Sequence, residues 1–242
     1  MSNWLVKVTK PGARLRLYVL PYAGGNVAAF LPWAALLGPD IDLAVVNLPG
    51  RGLRLREAHA TALRPLVMQI AAAIAADPGP RDFAIFGHSM GAVLGLEVLR
   101  TCAMMHLRLP SLFVASGCRW PSQLQKDDLH ALPDPEFRDR LRELGGTPPE
   151  VLEHDELMAM VSPALRADFA LLNSYAYRPG MALPLPVHVF TGTEDSEVGE
   201  DHLAGWLKES RQPGTIHRFD GGHFFVHSHE TAVLAQLRAV LA

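Results

Sequence analysis

The segment Gly87-His88-Ser89-Met90-Gly91 has the G-x-S-x-G spacing that places a serine nucleophile at a sharp turn. It directly follows the strand-like run FAIF and precedes a helical pattern over residues 92–105. Small residues two positions before and after the serine let strand and helix approach closely, which exposes the hydroxyl. The helix N-terminus also brings unpaired N–H groups to the place where an oxyanion would form. We therefore predict that Ser89 is a nucleophile rather than part of a purely structural turn.

A serine hydroxyl needs a general base, and histidines near the C-terminus are the candidates. His223 follows two glycines on a predicted loop between the strand-like run TIHRF and the last helical pattern, from which its ring could reach the serine. His217 lies within that strand pattern, where packing or exposure is expected. His227 and His229 fall at the entry of the last helix, where solvated side chains are expected. We predict that His223 is the base.

The third member of such a site is an acid that orients the histidine. In this order of residues it follows the serine and precedes the histidine, and Glu194 and Asp195 come directly after the strand-like run VHVFTG. The carboxyl end of a parallel strand is where ligands gather in such sheets. We predict Asp195, with Glu194 as the nearest alternative. Asp220 lies in the histidine loop itself, where capping a turn is its expected role.

Two backbone N–H groups are required to stabilise the oxyanion. One belongs to the residue after the serine, Met90. The other is expected in the loop PYAGGN at residues 21–26, which follows the strand-like run LRLYVL, and Ala23 is placed to donate it. The glycine pair in this loop suits either close approach of the backbone to a substrate or a turn with positive φ.

Strand and helix patterns alternate along the chain, which is typical of an α/β fold with a mostly parallel sheet flanked by helices. Apolar runs bounded by Gly, Pro or Asp predict strands at 15–20, 43–48, 83–87, 112–116, 187–192 and 215–219. Helical patterns cover 30–37, 66–76, 92–105, 202–209 and 230–241.

One connection is too long for a simple strand–helix–strand unit of roughly 30 residues. Between LFVAS and VHVFTG the chain carries further amphipathic helical patterns, separated by turns at Gly145-Gly146 and Pro148-Pro149. A helical insertion in a sheet of this kind is most simply a lid over the site. We predict one domain, residues 1–242, with a lid insertion at about 120–182.

Composition argues against several classes of protein. The formal net charge is −3 with both signs interspersed, so no basic footprint for nucleic acid is present. No apolar run has the length of a membrane span, and MSNWLVKVTKPGARLR lacks a signal-peptide core, so we expect a cytoplasmic protein. Cys102 and Cys118 lack ligand spacing, and YAGGN lacks the ending of a phosphate loop, so no metal or cofactor is predicted.

Longer segments around these residues resemble the type II thioesterases, stand-alone α/β-hydrolases associated with polyketide and nonribosomal peptide synthases. In chain order they are LYVLPYAGGNVAAFLPW, VNLPGRGLR, FGHSMGAVLGLEVLR, LRELGGTPPEVLEHDELMAMVSPALRADFALLNSYAY, FTGTEDSEV and FDGGHFF, which span nearly the whole chain. The resemblance implies an α/β-hydrolase fold with a helical lid. It also implies a triad of Ser89, Asp195 and His223, with oxyanion donors at Ala23 and Met90.

By the same resemblance, the substrate is an acyl group held as a thioester on the phosphopantetheine arm of an acyl or peptidyl carrier protein domain. Hydrolysis would free stalled or mis-primed carriers during antibiotic biosynthesis. Two alternatives stay open at this point. The same triad serves a carboxylesterase or an acyltransferase, because the sequence does not say which acceptor takes the acyl group. A catalytically inactive fold that only binds a synthase is the other alternative.

A cluster of arginines follows the segment PGR. Arg51 ends that segment, and Arg54 and Arg56 come shortly after it. The cluster either docks an acidic carrier domain or its phosphate, or it belongs to a structural or solvated loop.

Overall fold

The computed structural model describes residues 3–242, and the seven strands found there form a single sheet. The strands are β1 (Leu5–Val8), β2 (Leu15–Leu20), β3 (Ile41–Val46), β4 (Asp82–His88), β5 (Phe113–Ser116), β6 (Val187–Gly192) and β7 (Ile216–Phe219). Their spatial order is β1-β3-β2-β4-β5-β6-β7. β1 pairs antiparallel with β3, and the other neighbours pair in parallel. The predicted, mostly parallel sheet is confirmed.

The boundaries of the predicted strands agree with the apolar runs to within two residues. β2 and β6 have the predicted bounds, whereas β3 begins two residues earlier than predicted. The early start includes Asp42, whose carboxylate is buried against the guanidinium of Arg16 at 2.7 Å. A charged residue in a fully buried strand therefore hid this boundary from the hydropathy pattern. β1 was not predicted because its short run, LVKV, lies at the sheet edge and is only partly buried.

Helices cover both faces of the sheet. The elements are α1 (Trp33–Leu36), α2 (Leu63–Ala75), α3 (Met90–Met104), α4 (Asp134–Leu144), α5 (Pro149–Leu152), α6 (Asp155–Ser174), α7 (Glu200–Leu207), α8 (Phe225–Ser228) and α9 (Glu230–Leu241). One buried cluster joins α2, α3 and α7 to one face, and a second joins α1, α8 and α9 to the other. Alternate residues of β2 belong to the two clusters, as the strand period requires.

Between β5 and β6 the chain carries a helical insertion that contains α4, α5 and α6. These helices share a small apolar cluster of their own that includes Phe137, Leu141 and Leu165. The carboxylate of Glu209, outside the insertion, accepts hydrogen bonds from Trp120 Nε1 at 2.7 Å and from the Tyr177 hydroxyl at 2.8 Å. Both ends of the insertion are thus tied to one buried acid beside the sheet.

Within residues 3–242, no helix combines the length and the apolar composition that crossing a bilayer requires.

Candidate active site

Ser89 occupies the turn between β4 and α3 with a backbone conformation that few non-glycine residues adopt, φ 53° and ψ −117°. Its N–H donates to the carbonyl oxygen of Ser116 on the neighbouring β5 at 2.8 Å. A Cβ on Gly87 would stand 2.1 Å from the carbonyl oxygen of Gly91. The small residues of the motif are therefore required by direct contact between backbone segments on either side of the serine.

His223 and Asp195 are brought together by the loops that follow β7 and β6. The two loops are joined by a hydrogen bond from the N–H of Glu194 to the carbonyl oxygen of Gly221, at 2.9 Å. The imidazole Nδ1 of His223 lies 2.9 Å from Oδ2 of Asp195, whose side chain is fully buried. An ionised carboxylate only accepts, so this contact assigns the proton to Nδ1 and leaves the Nε2 lone pair for a substrate-side role.

The alternative acids and bases lie elsewhere. Glu194 and Asp220 are exposed to solvent. Each of the three alternative histidines contacts a hydroxyl group: His217 contacts Thr215, His227 contacts Tyr22, and His229 contacts Ser228. In the described part of the chain, His223 is the one histidine within ion-pair distance of a carboxylate.

Ser89 and His223 line one cavity of about 140 Å³. Its apolar wall includes residues from the helical insertion and from the rest of the fold: Met90, Val93, Cys118, Leu124, Leu129, Leu144, Phe169, Leu172 and Val198. Polar and charged residues line the same cavity: Arg119, Gln125, Asp127, Arg140, Asn173 and Glu197. The arrangement suits an apolar group bound next to Ser89 under the insertion.

The segments predicted to carry the oxyanion donors leave the sheet side by side. Leu20 at the end of β2 is paired with Gly87 of β4, which places the loop 21–26 beside the turn at Ser89. Met90 is the first residue of α3, and N–H groups in the first turn of a helix have no intrahelical acceptor. Ala23 lines a second cavity of about 200 Å³, which shares Leu144 and Phe169 with the first.

The loop 21–26 is held by the insertion, a contact that sequence reasoning missed. Gly24 has φ +75°, and a Cβ there would stand 2.3 Å from a methyl carbon of Leu165 on α6. The N–H of Gly24 donates to Oδ2 of Asp168, one turn further along α6, at 2.8 Å. The glycine thus makes room for the insertion, and the acidic residue in the apolar stretch LRADFALL was the only signal of this contact.

The arginine cluster is largely structural. Arg51 is buried and forms two hydrogen bonds to Asp168. Arg54 is also buried, pairs with Glu57 at 2.5 Å and lies over the ring of Trp4 at 3.7 Å. Of the three arginines, Arg56 alone is exposed. The burial and internal contacts of Arg54 therefore favour the structural alternative for this residue.

Two reactive groups beside the site are kept neutral. His88 is fully buried with Nδ1 3.0 Å from the Ser116 hydroxyl, and burial lowers its pKa well below 6.5, assisted by the nearby His223 and His227. Burial raises the pKa of the Cys118 thiol, so it stays protonated in the cavity wall. His88 is therefore a packed, neutral neighbour of the site and not a second base. Within residues 3–242, no three histidine, cysteine or acidic side chains are grouped to hold a metal ion.

The strand order and the serine at the β4–α3 turn define an α/β-hydrolase fold. The chain belongs to the thioesterase family, because the model of the thioesterase domain matches residues 15–241.

Relatives match over nearly the full length. Gramicidin S biosynthesis protein GrsT of Aneurinibacillus migulanus is 34% identical, over 100% of this chain and 96% of GrsT. The structure of the type II thioesterase BorB from the borrelidin biosynthetic cluster is 33% identical with a TM-score of 0.89, covering 99% of this chain and 98% of BorB. RedJ, a thioesterase of the prodiginine pathway in Streptomyces coelicolor, is 32% identical with a TM-score of 0.89, over 94% of this chain and 85% of RedJ. The predicted resemblance to type II thioesterases is confirmed.

Proposed function

We propose that the protein hydrolyses acyl thioesters on the phosphopantetheine arms of acyl or peptidyl carrier protein domains, and so frees the carriers of a polyketide or nonribosomal peptide synthase. The observation that carries this proposal is the full-length match to GrsT and BorB, proteins of such biosynthetic systems. Membership of the thioesterase family makes the chain a thioester hydrolase. In this proposal the partners are carrier domains, and the reaction takes place in the cytoplasm.

The proposed mechanism begins with attack of the Ser89 hydroxyl on the thioester carbonyl while Nε2 of His223 takes its proton. The N–H groups of Met90 and Ala23 stabilise the resulting oxyanion. His223 then returns the proton to the departing pantetheine sulfur, which leaves an ester on Ser89. Water, deprotonated by His223, attacks this ester, and His223 then returns the proton to the Ser89 oxygen as the free acid leaves. Asp195 orients the ring and stabilises its protonated form.

The cavity beside Ser89 supports the roles proposed for Ser89 and His223. Ser89 and His223 both line it, so the attacking group and the base face the same small space. Its apolar wall suits an acyl chain, because burying each methylene contributes about 0.8 kcal/mol. The insertion acts as a lid in this proposal, since it covers the cavity with Leu144, Phe169 and Leu172 and excludes water from the first step.

The test uses the full chain with an acyl-loaded carrier domain and with the corresponding acyl-pantetheine. We expect Ser89→Ala to remain folded by circular dichroism and thermal melting, and to lose both hydrolysis and labelling by a fluorophosphonate. Ser196→Ala, in an exposed position of a neighbouring loop, is the matched control and should keep both. Hydrolysis retained by Ser89→Ala would overturn the proposal.

Turnover of oxygen esters distinguishes a thioesterase from a carboxylesterase or an acyltransferase. We expect a thioester to be turned over faster than an oxygen ester with the same acyl chain. Added alcohol or amine acceptors should not divert the acyl group from water. A preference for oxygen esters, or efficient transfer to an added acceptor, would instead identify a carboxylesterase or an acyltransferase.

A further inference from the structure

Helix α6 of the insertion contacts the loop 21–26 through two side chains on one face. Leu165 packs directly against Gly24: a Cβ added to Gly24 would stand 2.3 Å from a methyl carbon of Leu165. Asp168, three residues later, accepts the Gly24 N–H at 2.8 Å. Residues three apart lie on the same face of a helix, so a single docked position of α6 satisfies both contacts.

Arg51 completes the contact from a third segment of the chain. Its guanidinium holds the Asp168 carboxylate with two bonds, at 2.5 Å from Nη1 and 2.7 Å from Nη2. Nη1 also lies 3.4 Å from the carbonyl oxygen of Gly25. The side chains of both charged residues are less than one tenth exposed. Removing two charges from water costs free energy, so a buried ion pair often adds little to the stability of a protein. We therefore consider a role in the site for the pair of Arg51 and Asp168.

The hydrogen bonds leave Ala23 in a defined position. The N–H of Gly24 is used by Asp168, and the N–H of Gly25 donates to the carbonyl oxygen of Tyr22 at 2.9 Å, which closes the turn around Ala23. Neither bond uses the N–H of Ala23 itself. The peptide groups that follow Ala23 are therefore fixed by bonds that do not compete with its proposed role as an oxyanion donor.

We propose that Asp168 and Arg51 are positioning residues for the oxyanion hole, which couple docking of helix α6 to the geometry of the Ala23 N–H. This inference rests on the proposed function. When α6 is docked, the Asp168 carboxylate holds the turn at residues 22–25 in the form that presents Ala23. Arg51 neutralises that carboxylate, whose negative charge would otherwise oppose an oxyanion forming nearby. The lid thereby organises the site as well as covering it.

The proposal predicts a loss confined to the chemical step. We expect Asp168→Ala to lower kcat about 100-fold or more, the scale of losing one oxyanion donor, with KM for acyl-pantetheine changed less than about threefold. Asp168→Asn keeps an oxygen that accepts the Gly24 N–H and should recover most of kcat. Arg51→Gln leaves an unpaired buried carboxylate and should lower kcat, and the double variant Arg51→Gln/Asp168→Asn should restore part of the loss.

Glu209→Gln is the matched control. Glu209 is also a buried carboxylate that anchors the insertion, but it contacts Trp120, Tyr177 and Arg100 and not the loop 21–26. We expect it to lower the melting temperature while kcat stays within about threefold of the unsubstituted protein. Equal losses of kcat in Glu209→Gln and Asp168→Ala, or a loss seen only in KM or stability, would overturn the positioning role.

Binding of phenylboronic acid separates this inference from the proposed function. A boronic acid forms a tetrahedral adduct with an activated serine, and its affinity depends on the oxyanion hole whatever the natural substrate is. We expect affinity to fall at least tenfold in Asp168→Ala and to recover in Asp168→Asn. If the unsubstituted protein bound phenylboronic acid but hydrolysed no acyl thioester, the proposed function would fail. The affinities of the Asp168 variants for phenylboronic acid would still test the role of Asp168. Unchanged affinity in Asp168→Ala would refute that role.

Discussion

Gly91 and Leu20 are in backbone contact: a Cβ on Gly91 would stand 2.0 Å from the Leu20 carbonyl oxygen. Leu20 ends β2 and precedes the loop that carries Ala23, whereas Gly91 lies in the first turn of α3 next to Met90. The contact therefore sets the separation between the two segments that we propose supply the oxyanion donors. Ser89 lies at the same junction, so one close approach positions the proposed nucleophile and both proposed donors.

Replacing Gly91 by alanine should disrupt this junction. The added methyl group would meet backbone atoms rather than the end of a flexible side chain, so α3 must shift. We expect a loss of about 2 kcal/mol or more in the free energy of unfolding, as for overpacked cores. We also expect hydrolysis to fall at least 100-fold, measured with acyl-pantetheine below the melting temperature. Gly199→Ala is the control, because a Cβ at Gly199 meets nothing within 4 Å. It should leave hydrolysis unchanged and cost less than about 1 kcal/mol, since Gly199 is the N-cap of α7 and alanine is a poorer N-cap than glycine.

Asp195→Asn should leave the fold intact and slow catalysis. The amide can donate a hydrogen bond to Nδ1 of His223, which favours the tautomer whose Nε2 carries the proton and cannot accept one from Ser89. By analogy with the same change in other serine enzymes, kcat should fall about 10³- to 10⁴-fold with little change in KM. Steady-state kinetics on a short acyl-pantetheine would measure both.

Glu194→Gln tests whether the neighbouring acid shares this role. Its side chain is exposed, and among residues 3–242 it forms no hydrogen bond or ion pair with His223, so we expect kcat to stay within about twofold of the unsubstituted protein. If Glu194→Gln lost as much activity as Asp195→Asn, the assignment of the acid would be incorrect.

The parts of the site that could be predicted from the sequence are those set by local geometry. The turn at Ser89 follows from glycines two residues away. Asp195 and His223 each follow a strand directly, and parallel strands end at a common edge. The loops after neighbouring strands are therefore expected to lie close together at that edge. The 2.9 Å contact between Nδ1 of His223 and Oδ2 of Asp195 is an example.

Contacts between distant segments could not be predicted in this way. Arg51 and Asp168 are 117 residues apart, and Glu209 joins Trp120 and Tyr177 across 89 and 32 residues. For each of these charged residues, the neighbouring sequence predicts a side chain exposed to solvent. Their pairing depends on how the helical insertion docks, which no local pattern specifies. For the same reason the sequence left open whether Arg54 docks a partner or belongs to a structural loop, and in the structure Glu57 and Trp4 contact its guanidinium.

Leu144 and Phe169 separate the cavity at Ser89 from the second cavity beside Ala23, since both residues line both spaces. We expect Leu144→Ala to join them and to shift acyl-chain preference towards longer chains. The ratio of kcat/KM for octanoyl- over butyryl-pantetheine should rise about tenfold, because two or more additional methylenes become buried at about 0.8 kcal/mol each.

The control for this substitution is Leu152→Ala. Leu152 is buried in the same apolar cluster of the insertion but lines neither cavity. It should lower stability by about 2 kcal/mol or more without changing the octanoyl-to-butyryl ratio. An unchanged ratio in Leu144→Ala would show that the two cavities do not accept one acyl chain.

His88 should make the stability of the protein depend on pH. Burial lowers the pKa of its imidazole well below 6.5, so between pH 6.5 and that lower value the unfolded chain binds a proton that the folded protein does not. Stability from this group is present above pH 6.5 and is lost as the pH falls, with a slope of up to about 1.4 kcal/mol per pH unit. Removing the titrating group by His88→Gln should reduce the slope of the unfolding free energy between pH 7.5 and 5.5, measured by urea titration.

A packing variant distinguishes this titration from a general loss of stability. Phe225 packs against the His88 ring with centroids 5.7 Å apart, and Phe225→Leu removes packing while keeping the histidine. It should lower the free energy of unfolding by a similar amount at every pH and leave the slope unchanged. His188, His202, His217 and His227 have pKa values that burial also lowers, so part of the slope must persist in His88→Gln. If His88→Gln kept the full slope, the buried ring would contribute nothing to the pH dependence, and these four histidines would account for all of it.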